Sequence, residues 1–510
     1  MSGLFGTLGT ANKGLNAQQK ALETASHNIS NSNNANYSRQ RVNMQADLPY
    51  TLTGVGQIGT GVKIAGITRI VDDFVIGNIR NETANFNYYS QKSEVLGQLE
   101  SIFNTTPGSK GLTDNLATYF DSWTKLGNNP EFDNSKSIVL ENANNLTDTI
   151  HHTAQQITDL SRNTLATLEK SVLDVNSKLQ ELDELNNQIY KISSDGSMPN
   201  DLLDKRDALL KDISSFGKVD ASFDKYGRVY LKMAGQDILT KESVKVISVV
   251  TGKSANGQSL VSVGGNSLAT KAEVTDDYPV GQLVISESST QSTDFKPLTI
   301  GMGAAKGMQD ALADIDVRMS ELNNFAFSFA TAVNLIHSDG GKGSDFFTLG
   351  QDGNYAQNIN VTSDIKADPS KISTGKDLNG TDIGDGSRAL AISKLKDATF
   401  DFPVSQAELE ANYDASTMSF KKTDGGLTFL GAYVDIVTKN GIAKQQADNR
   451  MESQAYILHQ LEQKNASISG VNINEEVSDV IRFQRAFQAN SKVISVISEM
   501  LDTLINRTGV

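Results

Sequence analysis

The chain has 510 residues, a formal net charge of −14, 38% hydrophobic and 21% charged side chains, and no cysteine. The length exceeds one ordinary core and implies about two to four domains. The missing cysteines exclude disulfides and thiolate metal sites, the acidic balance disfavours nucleic acid and anionic lipid, and no run approaches the roughly eighteen consecutive apolar residues of a membrane span.

The charge is uneven: residues 1–46 carry +3 and residues 471–510 carry −1, which leaves −16 on the body between them. No basic segment followed by an apolar run and a small-residue cleavage site opens the sequence, so no cleaved secretory signal is expected. Only 8 prolines occur, as long uninterrupted helices would require.

In chain order, Leu4, Leu8, Ala11, Leu15, Gln18, Leu22, Ala25 and Ile29 form a heptad seam. Gly3, Gly6, Gly9 and Gly14 weaken it, each by about 1 kcal/mol relative to alanine, so this segment needs a partner. The asparagine-rich "SHNISNSNNANYSRQRV" (26–42) then ends the helical pattern, and "YSRQRVNMQ" alternates as a strand does, followed by glycine-punctuated strand or turn up to Val71. Val75, Ile79, Phe86, Tyr89, Leu96 and Phe103 mark a second helix, and "LTDNLATYFDSWTKLGNNP" a third, with the sole tryptophan, Trp123. The longest helical stretch runs from about Asn134 to Ser193, its heptad broken only at Asn186, and one more helix starts at Asn200 or Asp201.

Residues 217–302 are rich in Val, Ser, Thr and Gly and read as a β-domain. The heptad returns without a fault from Met308 to Ile336. Residues 341–425 read as loop and strand, helix resumes from Leu427 to about Ile468, and a final amphipathic segment carries Ile473, Val477, Val480, Phe487, Ile494, Leu501 and Ile505. The nesting brings the two chain ends together and leaves the β-rich insertions to project away from them.

No constellation of reactive residues emerges. The histidines His27, His151, His152, His337 and His459 are scattered, with no HExxH. "TGKS" (251–254) has Ile247 where a phosphate loop needs its first glycine, and "GMGAAKG" (301–307) has Lys306 where a dinucleotide fingerprint needs its last. "DLNGTDIGDG" (377–386) is the best cation candidate, but Asp382 and Arg388 stand where a calcium loop needs Gly and Glu. No catalytic, cofactor-binding or metal residue is assigned, and the chain is not expected to be an enzyme.

The terminal seams point elsewhere. Two helices alone bury one seam, worth about 2 kcal/mol per large side chain, against an ordering cost of about 1–2 kcal/mol per residue. Copies of the same chain are the natural further partners, so a polymer is expected.

The stretches "NISNSNNANYSRQRV", "GVKIAGITRIVDDFV", "PNDLLDKRDALLKDIS" and above all "SGVNINEEVSDVIRFQRAFQANSKVISVISEMLDTLINR" resemble the flagellar axial proteins of bacteria. Within that superfamily the Asn-Glu-Glu opening and "SEMLDTL" ending are most similar to the hook-associated protein 1 family, the first hook–filament junction proteins. The sequence departs from the superfamily where Asn34-Ala35-Asn36 replaces Thr-Pro-Gly before Tyr37. Other axial proteins (hook or second junction protein) and a surface adhesin on a helical stalk are the alternatives.

The resemblance implies an α+β multidomain fold with an inter-subunit layer of terminal helices (1–32 and 472–510). It also implies a helical-bundle middle domain (33–216, 303–348 and 427–471), a β-rich outer domain (217–302) and a β/loop-rich outer insertion (349–426). The assembly interface would use Leu4, Leu8, Leu15, Leu22, Ile29, Ile473, Val477, Val480, Phe487, Ile494, Leu501 and Ile505. The family motif Asn28, Asn31, Tyr37, Ser38, Arg39 and Gln40 would be a hinge, disordered until subunits stack. Implied partners are further copies, the hook protein, the second junction protein, a cytosolic export chaperone on the C-terminal helix and the flagellar type III export apparatus. The implied location is the extracellular flagellum, with no nucleic acid and no membrane span.

Overall fold

Long apolar-striped segments with few prolines fold here as long helices, and the Val/Ser/Gly-rich segments as short antiparallel strands. A computed structural model of the chain describes residues 3–54, 56–103, 111–266, 271–287, 294–350, 352–378 and 382–507. The chain divides into two compact units, one of Met1–Asn87, Lys170–Ala305 and Glu452–Val510, the other of Tyr88–Glu169 and Lys306–Met451.

The first unit opens with α1 (Leu4–Ser30), then β1 (Gln40–Ala46), β2 (Tyr50–Leu52), β3 (Gly56–Ile58) and β4 (Val62–Arg69). β1 and β4 pair antiparallel with a bulge after Asn43, and β2 and β3 form a small hairpin between them. α2 (Asp73–Phe103) begins here and continues into the second unit, followed there by α3 (Leu112–Asn128) and the first part of α4 (Asp133–Ser193). The last part of α4 returns to the first unit, with α5 (Asn200–Phe216).

Two antiparallel sheets follow. One is β5 (Val219–Phe223), β6 (Val229–Met233) and β7 (Gln236–Leu239) in that order. The other contains β8 (Val246–Lys253), β9 (Ser259–Ser262), β10 (Ala272–Val274), β11 (Leu283–Ser286) and β12 (Lys296–Leu298), in the order β10-β9-β8-β11-β12. Val250, Val261, Val274, Val284 and Phe295 form the buried cluster of the larger sheet.

Asn186, the fault in the α4 heptad, has a structural use. Its buried amide donates to the Val229 carbonyl at 2.8 Å and accepts from the Val229 N–H at 2.9 Å. Asn176 treats Ile247 the same way, at 2.7 and 2.9 Å. Each asparagine supplies the donor and acceptor that a neighbouring strand would have supplied, and so ties α4 to β6 and β8.

In the second unit α2, α3, α4, α6 (Ala304–His337) and α11 (Phe429–Ser469) share one core, in which Tyr119, Trp123, Phe325, Phe329, Phe346 and Phe429 are fully buried. Residues 349–426 differ from the strand-and-loop expectation. They form α7 (Tyr355–Asn358), α8 (Ser363–Ala367), α9 (Ser387–Ser393) and α10 (Gln406–Asn412). Among the described residues the strands are two-residue pairs, β13 (Phe347–Thr348) with β14 (Asn360–Val361) and β15 (Tyr413–Asp414) with β16 (Ser419–Phe420). The Asp, Ser and Asn that read as loop also serve as helix caps: Ser405 caps α10, accepting from the Glu408 N–H while Glu408 accepts from the Ser405 N–H. Ile359, Ile365, Ile372, Ile392 and Leu409 from this stretch belong to the same core. The acidic turn at 377–386 lies partly outside the described residues.

Buried Arg388 donates to the carbonyls of Gly375 and Lys376, each at 2.9 Å, and to that of Ile336 at the end of α6. The adjacent His337 donates from Nδ1 to the Ser344 carbonyl at 2.7 Å, and Nε2 accepts from the Ser373 N–H at 3.1 Å. The last long helix, α12 (Ile473–Asp502), and a π-helical turn after it (Thr503–Arg507) belong to the first unit.

Candidate functional site

α1 and α12 pack along each other as an antiparallel pair. An added Cβ on Gly14 would meet the Asn490 side chain, and Asn28 hydrogen-bonds Glu476 at 3.0 Å, so a fourteen-residue step along α1 matches an equal step back along α12. α12 is therefore the partner that the glycine-weakened α1 requires, and it comes from the same chain.

The seam is closest at small residues. Ala11, Ala17, Ala21 and Ala25 are at most 4% exposed, while the leucines named from sequence, Leu4, Leu8, Leu15 and Leu22, and Ile29 are only half-covered. On α12 the deepest residues are Glu476 and Ile497. Val480, Phe487, Ile494 and Leu501 are half-covered, in heptad register with Asn490 and Ile497. Ile473, Val477 and Ile505 are instead exposed, as are Ile481, Val493, Val496, Met500 and Leu504, so the C-terminal segment shows apolar side chains near each of its ends, with exposed Arg482, Gln484, Arg485, Gln488 and Lys492 between them. Phe5 on α1 is also exposed.

The asparagine tract closes one end of this pair. Residues 31–36 form successive hydrogen-bonded turns, with N–H groups of Ser32, Asn34 and Tyr37 donating to the carbonyls of Ile29, Asn31 and Asn34. In these turns asparagine side chains supply local bonds that replace the helix ladder, such as Asn31 Nδ2 to the His27 carbonyl at 3.0 Å.

Five of the six motif residues, Asn28, Tyr37, Ser38, Arg39 and Gln40, join one network, while Asn31 bonds back to the end of α1. Buried Asn28 donates to the Gln40 carbonyl at 2.9 Å and to Glu476, and accepts from the Gln40 N–H at 3.0 Å and the Tyr37 hydroxyl at 2.8 Å. Burial first, then the carboxylates of Asp201, Asp204 and Glu476, push the Tyr37 pKa upward, which keeps its hydroxyl a donor. Ser38 N–H donates to Asp204 at 3.0 Å, and Gln40 Nε2 to Asp201 at 2.8 Å, both on α5. Arg39 donates its N–H to the Ser469 carbonyl at 2.8 Å and its guanidinium to Glu476 at 2.6 Å and Glu475 at 3.2 Å. Those two acids also sit in the first turn of α12, where the helix dipole favours them.

Behind this, Arg69 bridges Asp204 and Asp207 at 2.7 and 2.9 Å. Burial nevertheless raises the Asp204 pKa, against the Ser38 N–H and Arg69. Sequence reasoning found one side of the network and missed Asp201, Asp204 and Glu476. The only sequence signal was their clustering in the two helix-opening runs "PNDLLDKRD" and "NINEEVSD".

The network can hold chain ends together, and the Tyr37 hydroxyl that donates to Asn28 also lies 3.2 Å from His27 Nδ1. Among the described residues no cluster of His, Asp and Glu could hold a metal ion, and no helix is long and apolar enough to cross a membrane.

Residues 96–347 match the family described as "Flagellar hook-associated protein FlgK helical domain", and residues 462–507 match "Flagellar basal body rod FlgEFG protein C-terminal". The Flagellar hook-associated protein 1 of Bacillus subtilis is 28% identical, covering 100% of this chain and 99% of that protein. Its Salmonella typhimurium namesake is 24% identical over 97% and 98%. A solved structure described as the flagellar hook junction protein FlgK from Burkholderia pseudomallei shares the fold, with a TM-score of 0.59 at 14% identity over 77% of this chain and all of that one.

The paired terminal helices and the matched C-terminal segment define a flagellar axial protein. Within that class, the chain belongs to the flagellar hook-associated protein 1 family.

Proposed function

We propose that this chain is a structural protein of the hook–filament junction, polymerising through its paired terminal helices into the adaptor between hook and filament. The observation that carries the reading is the apolar surface that α12 leaves open: its inner face is already covered by α1, and Ile473, Val477, Ile481, Val493, Val496 and Met500 remain 38–51% exposed. Exposed apolar side chains in such number mark an interaction surface, and further copies are their natural cover in the assembled tube. Phe5 and the half-covered leucines of α1 extend the same interface.

On this reading the neighbours at the two rims are the hook protein and the second junction protein. Before assembly, a cytosolic export chaperone shields the exposed apolar residues of α12, and the chain leaves through the flagellar type III apparatus without a cleaved signal. The asparagine turn is the hinge that sets the terminal pair against the rest of the chain. The protein acts by binding and geometry, without catalysis or cofactor.

The test is electron microscopy of the source bacterium after deletion of this chain. Hooks without filaments, with flagellin lost to the medium and filaments restored by the wild-type chain, are the expected result. Normal filaments on the deletion strain would overturn the proposal.

A further inference from the structure

His337, the last residue of α6, is fully buried, and both of its ring nitrogens are engaged. Nδ1 donates to the Ser344 carbonyl at 2.7 Å, and Nε2 accepts from the Ser373 N–H at 3.1 Å. The second bond holds the segment Ile372–Lys376 against the end of α6. The rest of that segment hangs on α9: the Thr374 carbonyl accepts from the N–H groups of Arg388 and Ala389 at 2.9 and 3.1 Å, and the Gly375 and Lys376 carbonyls accept from the Arg388 guanidinium. Arg388 is also fully buried and donates to the Ile336 carbonyl, so a permanent cation lies beside the imidazole. Among the described residues no carboxylate bonds to either side chain. Asp385 accepts instead from the N–H groups of Lys376 and Ser387 at 2.6 and 2.9 Å, Asp339 pairs with Lys342 at 2.8 Å, and burial keeps the Tyr413 phenol of β15 protonated. The uncharged rings of Trp123 on α3 and of Phe346 meet the imidazole edge-on.

We infer that His337 is an acid-released clasp: its neutral Nε2 holds Ile372–Lys376 on the end of α6, and protonation frees that segment while the helices of the second unit stay folded. A protonated Nε2 is a donor facing the Ser373 N–H, so the bond turns into opposition between two donors. The new charge is buried beside Arg388 without a counter-ion. Burial first, then Arg388, with the Ser344 carbonyl opposing, hold the closed ring's pKa down to about 4, from 6.5. Once the segment lifts and water reaches the ring, the ordinary value returns. The open form therefore binds the proton more tightly, and its population rises by about tenfold per pH unit as pH falls from 6.5 toward 4. This segment gives way first because a few single hydrogen bonds tie it, whereas Phe325, Phe329 and Val333 fix α6 in the core. Its release uncovers Ile372, which shares that core with Trp123.

The test is amide hydrogen exchange of the purified full chain at about pH 7 and pH 5, read by mass spectrometry and corrected for the intrinsic pH dependence of exchange. In the wild type, peptides covering 372–376 are expected to lose about tenfold or more of their protection at the lower pH, while peptides of α3 and α6 keep theirs. In His337→Gln the side-chain oxygen can still accept from Ser373 and its nitrogen donate to Ser344, without titrating. That variant should hold 372–376 equally well at both pH values. Wild-type protection at 372–376 that does not change with pH would overturn the inference, as would an equal loss in H337Q. If H337Q does not fold, the wild type decides alone along a finer pH series. Loss at 372–376 ahead of α3 and α6 supports the clasp, and loss in step with them refutes it.

Discussion

Glu476 and Arg39 meet at 2.6 Å across the base of the terminal helices, with the Glu476 side chain 3% exposed and Asn28 bonded to its other oxygen at 3.0 Å. The pair ties the first turn of α12 to the strand after the asparagine turn, and so fixes where both chain ends leave the body. Removing Glu476 leaves Arg39 only the more exposed Glu475 and Asp479 and takes an acceptor from buried Asn28. Glu476→Ala is expected to cost about 3 kcal/mol, read as a lower denaturant midpoint, and Glu476→Gln less, because it keeps an acceptor for Asn28. A midpoint equal to wild type for Glu476→Ala would refute the latch.

The α1–α12 seam depends on small residues at closest approach. Ala21, 2% exposed, has no room for growth, and Ala21→Phe is expected to destabilise the pair by about 1–3 kcal/mol. Hydrogen exchange should report the loss across both helices and leave the β-sheets protected.

Much of this was legible beforehand, for identifiable reasons. Hydrophobic period marked every long helix, and charge and motif marked the chain ends. The finer faces were not legible. A heptad of leucines outranks a neighbouring run of Gly14, Ala17, Ala21 and Asn28 in apolarity, yet burial follows backbone proximity, which small residues permit. Asn186 read as a fault because the pattern registers only apolarity, while the fold uses its amide against Val229. The stretch at 349–426 read as loop because Asp, Ser and Asn favour both turns and helix caps, and only tertiary burial of its isoleucines decides between them.

Asn186→Leu tests the strand-mimicking amide. The substitution keeps volume but leaves the Val229 N–H and carbonyl unpaired in a buried setting, at an expected cost of about 2–3 kcal/mol. Asn186→Asp keeps the acceptor for the Val229 N–H but sets a buried carboxylate against the Val229 carbonyl, so at neutral pH it should cost at least as much as Asn186→Leu. The readout is thermal unfolding of the full chain.

The second unit carries a pH signature. Burial first, with the Arg388 guanidinium adding to it and the Ser344 carbonyl opposing, pulls the His337 pKa down to about 4, from 6.5. The unfolded chain therefore binds more protons between those values, so stability rises with pH across that window. The contribution is complete above 6.5 and is lost as pH falls toward 4, up to about 3 kcal/mol. Trp123, the chain's single tryptophan, stacks edge-on near His337 and gives the fluorescence readout. His337→Gln should flatten the slope relative to wild type, which removes the shared contribution of titrating carboxylates from the comparison.

The exposed apolar residues of α12 can be probed without touching the monomer. Ile481 and Val496 are 45% and 38% exposed, so Ile481→Glu combined with Val496→Glu should leave the unfolding midpoint of the purified chain unchanged. In the deletion strain the same double variant should give hooks whose filaments are absent or shed into the medium. Filaments anchored as firmly as with the wild-type chain would contradict assembly through this face.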